Sequence, residues 1–193
     1  LGTNPLAIGI PTGGDDPFVL DMATSALSAS RIRFAAYHGE HVPEGMGVDP
    51  AGKPTTEAAA IEAGAIAPLA GHKGYGLGLC VALLSGPLVG GQIGAAIEGW
   101  LSEEGERGVR GHTFMAIDPA AFGDPVEFRT NSQAYLDEVK SARRAPGVDA
   151  IRYPGERTLA RRRESLAQGV QVLEKTWEIA GRYAARLGVD VPA

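Results

Sequence analysis

Short apolar runs separated by turn chemistry open the chain. Leu6 to Ile10 and Phe18 to Asp21 are rich in Ile, Leu, Val and Phe and flank PTGGDDP, so they predict two strands around a tight connection. Ser25 stands at an N-cap position, and LSASRIRFAAYHG places Ala29, Ile32 and Ala36 on one helical face before Gly39 ends the run. VPEGMGVDPAGKP, Val42 to Pro54, is loop chemistry, and Thr55 or Thr56 ahead of Glu57 can cap a short helix through Glu62. Leu77 to Leu84 is the most apolar helix, expected to hold Cys80 inside it, with Gly76 and Gly78 keeping its first turn small.

Further along, SEEGERGVRG, Ser102 to Gly111, reads as an exposed excursion ahead of a strand HTFMAID, His112 to Asp118. A helix from about Ser132 to Arg143 follows, then a strand-like AIRYP ending at Pro154 and a basic helix through Arg161, Arg162 and Arg163. The last helix carries Leu173, Trp177, Ala180, Ala184 and Leu187 on one face and is capped by Gly188. The stretch Gly74 to Ile97 is uncharged over a length that could span a bilayer, but Pro87 and its seven glycines break it into a buried core helix and a loop.

Composition narrows the class. With 193 residues, 44% hydrophobic and 21% charged, the chain suits one compact domain or one plus an appendage. Gly 27 and Pro 13 make about a fifth of it, which predicts a turn-rich globule. A net charge of −5 removes the basic footprint of a nucleic-acid binder and the polybasic signal of a membrane-surface protein. Eight Lys or Arg against six Asp or Glu beyond Pro146 leave that tail near +2; with 18 and 23 in the whole chain, the body is near −7. The tail, residues 146–193, therefore reads as a helical arm that docks elsewhere, beside an α/β domain over 1–145. The single Cys80 can form neither an internal disulfide nor a Cys-based zinc site, in keeping with a reducing, cytoplasmic compartment. The opening at Leu1, with no Met and no leader-like segment, suggests a chain that starts within a longer protein.

Three places carry candidate chemistry. LDMATS, Leu20 to Ser25, sets an acid, small residues and two hydroxyls at a strand-to-helix junction, where backbone N–H groups can hold an anionic ligand. Plain N-capping by Thr24 or Ser25 explains the same residues. AGHKGYGLG, Ala70 to Gly78, joins His72 and Lys73 to alternating glycines ahead of an apolar helix, which suits phosphate or ribose. It is neither a Walker A loop nor a strand-anchored GxGxxG, and a glycine-rich helix start with an exposed lysine would look alike. YPGER, Tyr153 to Arg157, places Glu156 where it can meet a ribose hydroxyl or merely complement a helix dipole. His38 and His41 lack a spaced third ligand, so no metal site is expected. The scattered histidines and lone cysteine give no nucleophilic triad, and Asp15, Asp16 and Asp21 give no acid/base pair by spacing.

In order, GTNPLAIGIP, LDMATS, VPEGMGVDPAGKPTT, GHKGYGLGL, YPGER and a closing Gly-Val helix with Trp177 resemble the malate/L-lactate dehydrogenase family, over essentially the whole chain. That group lacks a Rossmann fold and includes ureidoglycolate and sulfolactate dehydrogenases and imine-reducing relatives. The resemblance implies a mixed β-sheet cofactor-binding domain flanked by helices, a C-terminal helical arm and a homodimer. It also implies NAD- or NADP-dependent hydride transfer between a 2-hydroxy acid and its 2-oxo acid, or reduction of a cyclic imino acid. Its cofactor contacts fall on Asp21, Met22, Ala23 and Thr24, on His72 and Lys73, and on Gly155, Glu156 and Arg157.

Within that pattern, backbone and Thr24 contacts belong near the nicotinamide end, Lys73 on phosphate and Glu156 on a ribose hydroxyl, with Arg157 or Arg31 candidates for a 2′-phosphate. The family's catalytic histidine and its substrate-binding serine and arginine belong to its N-terminal part. No catalytic residue is thus expected here, and this chain by itself is expected to be inactive. Departures are Ser30-Arg31, where relatives commonly have Gly-Lys, and His72, where many carry an aromatic. A different class of reading, a non-catalytic nucleotide-binding or dimerisation module, accommodates the same loops.

Overall fold

The computed structural model describes residues 2–97, 109–172 and 174–190. The chain divides into two compact units, Leu1–Pro154 and Gly155–Ala193. In the first, strands β1 (Leu6–Ile10) and β2 (Phe18–Met22) pair antiparallel with Leu6 opposite Met22 and Ile10 opposite Phe18. The intervening PTGGDDP turn folds on itself: Thr12 Oγ1 donates to the Asp16 carbonyl at 2.7 Å, and Gly14 N–H donates to Gln133 Oε1 at 3.1 Å.

Helix α1 (Ala29–Tyr37) is capped by Ser28, whose hydroxyl accepts from Arg31 N–H at 3.2 Å, not by Ser25. Ser25 instead donates to the Leu27 carbonyl at 2.7 Å, a local turn that delays the helix by one step. The cap of α2 (Ala58–Ala63) also differs from expectation, because Glu57 is the N-cap residue and Thr55 Oγ1 accepts from Glu57 N–H at 3.1 Å. The two helices face each other through Ile32 and Ala35 against Ala58 and Ile61, each 1% exposed, with Val42 beside them. That is the buried core of the unit, flanked by Met46, Leu27 and Ile66. The predicted loop over 42–54 contains β3 (Gly47–Val48), paired antiparallel with β4 (Ala65–Ile66). A Cβ at Gly47 would lie 2.5 Å from Ile61 Cγ2, so only glycine lets this strand run against α2.

Helix α3 (His72–Ser85) starts five residues before the predicted Leu77, because His72 to Gly76 continue the helix despite their glycines. It ends in a 3₁₀ turn at Pro87–Val89. Helix α4 (Pro125–Ser141) likewise begins earlier than Ser132, where Asp124 caps it by accepting from Val126 N–H at 2.8 Å and proline occupies the first turn.

Two predicted strands are absent. His112 to Asp118 and the AIRYP segment run without regular secondary structure, since neither finds a strand to pair with among the described residues. The expected mixed sheet is therefore replaced, among those residues, by two antiparallel pairs within a mixed helix-and-strand architecture. Tyr153 of AIRYP stacks on Phe18 with ring centroids 6.3 Å apart, and Val19 N–H donates to the Pro154 carbonyl at 3.3 Å.

The excursion predicted over Ser102 to Gly111 lies, through residue 108, outside the described residues, as does Leu173. In the second unit, α5 (Glu156–Gln168) and α6 (Glu174–Leu187) occupy the predicted places. Gly188 closes α6 at φ +66°, with Val189 N–H donating to the Ala184 carbonyl at 2.9 Å. Among the described residues no helix is long and apolar enough to cross a membrane.

Candidate functional site

Two of the three candidate segments are stitched together in the first unit. After β2, residues 24–26 run beside 67–69: Leu69 N–H donates to the Thr24 carbonyl at 2.9 Å, and Ala26 N–H to the Ala67 carbonyl at 2.8 Å. The chain then turns through Ala70 (φ +49°) and Gly71 (φ +64°) into α3. A left-handed alanine is uncommon. It is held here by the Gly74 N–H, which donates to the Leu69 carbonyl at 2.9 Å across the turn, and by the absence of room for a Cβ at Gly74, 2.0 Å from that same oxygen.

Thr24 is the hub. It is 3% exposed; its N–H donates to the Thr3 carbonyl at 2.9 Å, and its hydroxyl is shared between the carbonyls of Thr3 (3.2 Å) and Asn4 (3.1 Å). Asn4 in turn donates through Nδ2 to the Gly78 carbonyl at 2.9 Å. The GTNP turn, LDMATS and α3 thus form one hydrogen-bonded junction, with Gly78 buried where Thr24 meets the helix. Asn4, Ala70 and Gly71 belong to this junction without having been expected there, whereas Gly78, expected to allow close approach by a neighbour, does so here against Thr24. Asparagine tolerates the φ of +38° found at Asn4 better than most side chains, whereas its place before Pro5 favours extended backbone, so the sequence carried no clear signal for this turn.

Around the junction, Met22 and Ala23 are half-buried, whereas Asp21, His72 and Lys73 are exposed. His72 and Lys73 are the first two residues of α3, so their N–H groups have no carbonyl within the helix to donate to. Among the described residues no hydrogen bond or ion pair occupies the Lys73 ammonium. Backbone donors, the positive end of a 14-residue helix and a lysine therefore converge on one exposed place, an arrangement suited to a phosphate. Cys80 is exposed and not packed inside α3, because the junction covers the Gly74 and Gly78 face of a helix that is apolar all round.

Gly155, Glu156 and Arg157 begin the second unit. Gly155 is the N-cap of α5 at φ +99°, a backbone that favours glycine, and Glu156 lies half-buried in the first turn. Arg157 and Arg161 line a shallow hollow of about 460 Å³ on α5, where Arg161 pairs with Glu164 at 3.2 Å. The histidines of the His38/His41 pair have separate partners: His38 packs on Phe34 (4.4 Å between centroids), and His41 Nδ1 lies 3.0 Å from Thr56 Oγ1.

Known proteins share this chain's pattern. A family model described as malate/L-lactate dehydrogenase matches residues 1–179. An L-sulfolactate dehydrogenase of Methanothermobacter thermautotrophicus is 40% identical over 191 residues, 99% of this chain and 54% of that protein. A Delta(1)-pyrroline-2-carboxylate reductase of Ancylobacter novellus is 39% identical over 89% of this chain and 49% of its own length. The solved sulfolactate dehydrogenase of Methanocaldococcus jannaschii superposes with a TM-score of 0.83 at 33% identity, covering 98% of this chain and 54% of that one. The chain thus spans about half the length of these relatives. On the ordered motifs, the family model and the shared fold, the chain belongs to the malate/L-lactate dehydrogenase family.

Proposed function

We propose that this chain is the cofactor-binding part of an NAD(P)-dependent oxidoreductase acting between a 2-hydroxy acid and its 2-oxo acid, or on a cyclic imino acid. The observation that carries the reading is the Thr24 junction, which holds LDMATS against the start of α3 and leaves His72 and Lys73 exposed on its first turn. Hydride transfer is the chemistry that a nicotinamide dinucleotide supplies when bound. This chain's residues fit its phosphates: the His72 and Lys73 N–H groups donate, and the Lys73 ammonium adds charge where oxygens are anionic.

Asp21, Met22 and Ala23 offer backbone beside the junction for the nicotinamide end, with Thr24 holding that backbone in place through its carbonyl bonds. In the second unit, Glu156 is the candidate for a ribose hydroxyl and Arg157 for an added phosphate. The proton donor or acceptor belongs, on this reading, to the part of the family fold that this chain does not span. A homodimer gains support from α6, where Trp177, Tyr183 and Leu187 lie exposed on one broad apolar stripe.

The test is kinetic, in a complete enzyme containing this chain. Lys73→Ala should raise the KM for NADH or NADPH about tenfold and leave kcat within about twofold, because a charge-assisted phosphate contact held equally in ground and transition states is lost. An unchanged cofactor KM overturns the role of Lys73. No oxidation of either reduced cofactor with 2-oxo acids or cyclic imines overturns the activity.

A further inference from the structure

Among the described residues, Asn4 and Ala70 are the two non-glycine positions with left-handed backbone, at φ +38° and +49°. Such a backbone is unfavourable for an L-residue, and Asn4 adopts it against a second preference, because a residue before proline favours extended backbone. Residues held this way persist only where their surroundings over-determine them, and they gather at ligand clamps. Both belong to the Thr24 junction.

The bonds around them close a circuit. The Asn4 carbonyl accepts from Thr24 Oγ1 at 3.1 Å, the Thr24 carbonyl from Leu69 N–H at 2.9 Å, and the Leu69 carbonyl from Gly74 N–H at 2.9 Å. One turn of α3 leads from Gly74 to Gly78, whose carbonyl accepts from Asn4 Nδ2 at 2.9 Å. The N-terminal end of α3 is therefore gripped at two buried glycines, about 6 Å apart along its axis. The grip at Gly74 is backbone to backbone, whereas the grip at Gly78 depends on one side-chain amide. A further hold, Thr113 Oγ1 donating to the Leu84 carbonyl at 2.6 Å, lies at the far end of the helix.

We infer that Asn4 is a positioning residue for the cofactor's phosphates: its side-chain amide fixes the axis of α3, and so the aim of the His72 and Lys73 N–H groups, against the backbone that Thr24 holds. The inference rests on the reading of His72 and Lys73 as phosphate contacts. A helix end held at two points keeps its aim; held at one, it can tilt and roll. The N–H groups of a first turn point along the axis, and a hydrogen bond weakens steeply as its donor swings off line. Without the Asn4 amide, the start of α3 keeps the Gly74 grip alone of the two. The LDMATS backbone stays in place, because the Thr24 N–H and hydroxyl are bound by the main-chain carbonyls of Thr3 and Asn4, which no side-chain change at Asn4 removes. The phosphate end is loosened, then, and the nicotinamide end is not.

Two substitutions in a complete enzyme containing this chain test the role. Asn4→Asp keeps the shape and the tolerance of left-handed backbone but turns the donor into an acceptor facing the Gly78 carbonyl. Asn4→Gly keeps the backbone and removes the amide, and it serves if the charged variant fails to fold. Each should raise the KM for NADH or NADPH about three- to fivefold and leave kcat within about twofold. On a Lys73→Ala background the same changes should raise KM by less than about twofold, because they act through a contact already gone. A KM that responds to Lys73→Ala but not to Asn4→Gly, even with a lower urea midpoint, overturns the positioning role and leaves Asn4 structural alone. Full additivity with Lys73→Ala, or a loss that falls on kcat, overturns it as well. If Lys73→Ala itself leaves KM unchanged, the phosphate reading fails first and takes this inference with it.

Discussion

Gly78 sits against Thr24 so closely that a Cβ on the glycine would stand 3.0 Å from the threonine hydroxyl oxygen. That oxygen is already held by the Thr3 and Asn4 carbonyls, and the Asn4 amide is held by Gly78. Neither partner can retreat without breaking a hydrogen bond. A helix interior normally gains about 1 kcal/mol from Gly→Ala. Here the overpacking, about 1–3 kcal/mol, outweighs that gain.

Gly78→Ala should therefore lower stability by up to about 2 kcal/mol in urea unfolding. Gly76→Ala should raise it by about 0.5–1 kcal/mol, because a Cβ there meets nothing within 4 Å. Opposite signs from two glycines two residues apart are the result to look for. Equal effects would mean that the Thr24 contact does not constrain α3.

Thr24→Val keeps the shape of the side chain and removes its hydroxyl. The Thr3 carbonyl retains the Thr24 N–H, so the Asn4 carbonyl is the acceptor left unsatisfied. The expected cost is about 1–2 kcal/mol by the unfolding midpoint, with Thr24→Ser costing less. A neutral Thr24→Val would remove the hydroxyl from the account of the junction.

Ser28, not Ser25, begins α1, and cap substitutions report that directly. Ser28→Ala should cost about 1 kcal/mol and Ser28→Gly only a few tenths, read as thermal shift together with loss of helical circular dichroism. If Ser28→Ala proves neutral, the bond from Arg31 N–H to the Ser28 hydroxyl is not what holds the helix start.

Much of the local structure was legible because it depends on neighbours in sequence. Apolar runs bounded by PTGGDDP made a hairpin, glycine after Leu187 made a helix cap, and the ordered motifs identified the family. Where a cap was misplaced, at Ser25 and at Thr55 or Thr56, a hydroxyl made a one-turn bond instead of opening a helix, a choice decided by fractions of a kcal/mol that spacing does not encode. At the candidate site, LDMATS and GHKGYGLG were visible as separate anion-friendly segments, but nothing in their order said that they touch. Asn4 passed unnoticed because its work is to reach Gly78, 74 residues away.

The sequence by itself determined which segments are helices, which turns need glycine, and which family's motifs are present, because those depend on backbone sterics and short-range hydrogen bonds. Tertiary structure alone decided that Thr24 joins β2 to α3, that Cys80 faces outward, and that 112–118 runs without a strand partner among the described residues. A strand exists only through the backbone it pairs with, and a residue is buried only by what is laid over it. Both are properties of the partner, and the alternation of HTFMAID specifies a strand while leaving that partner unnamed.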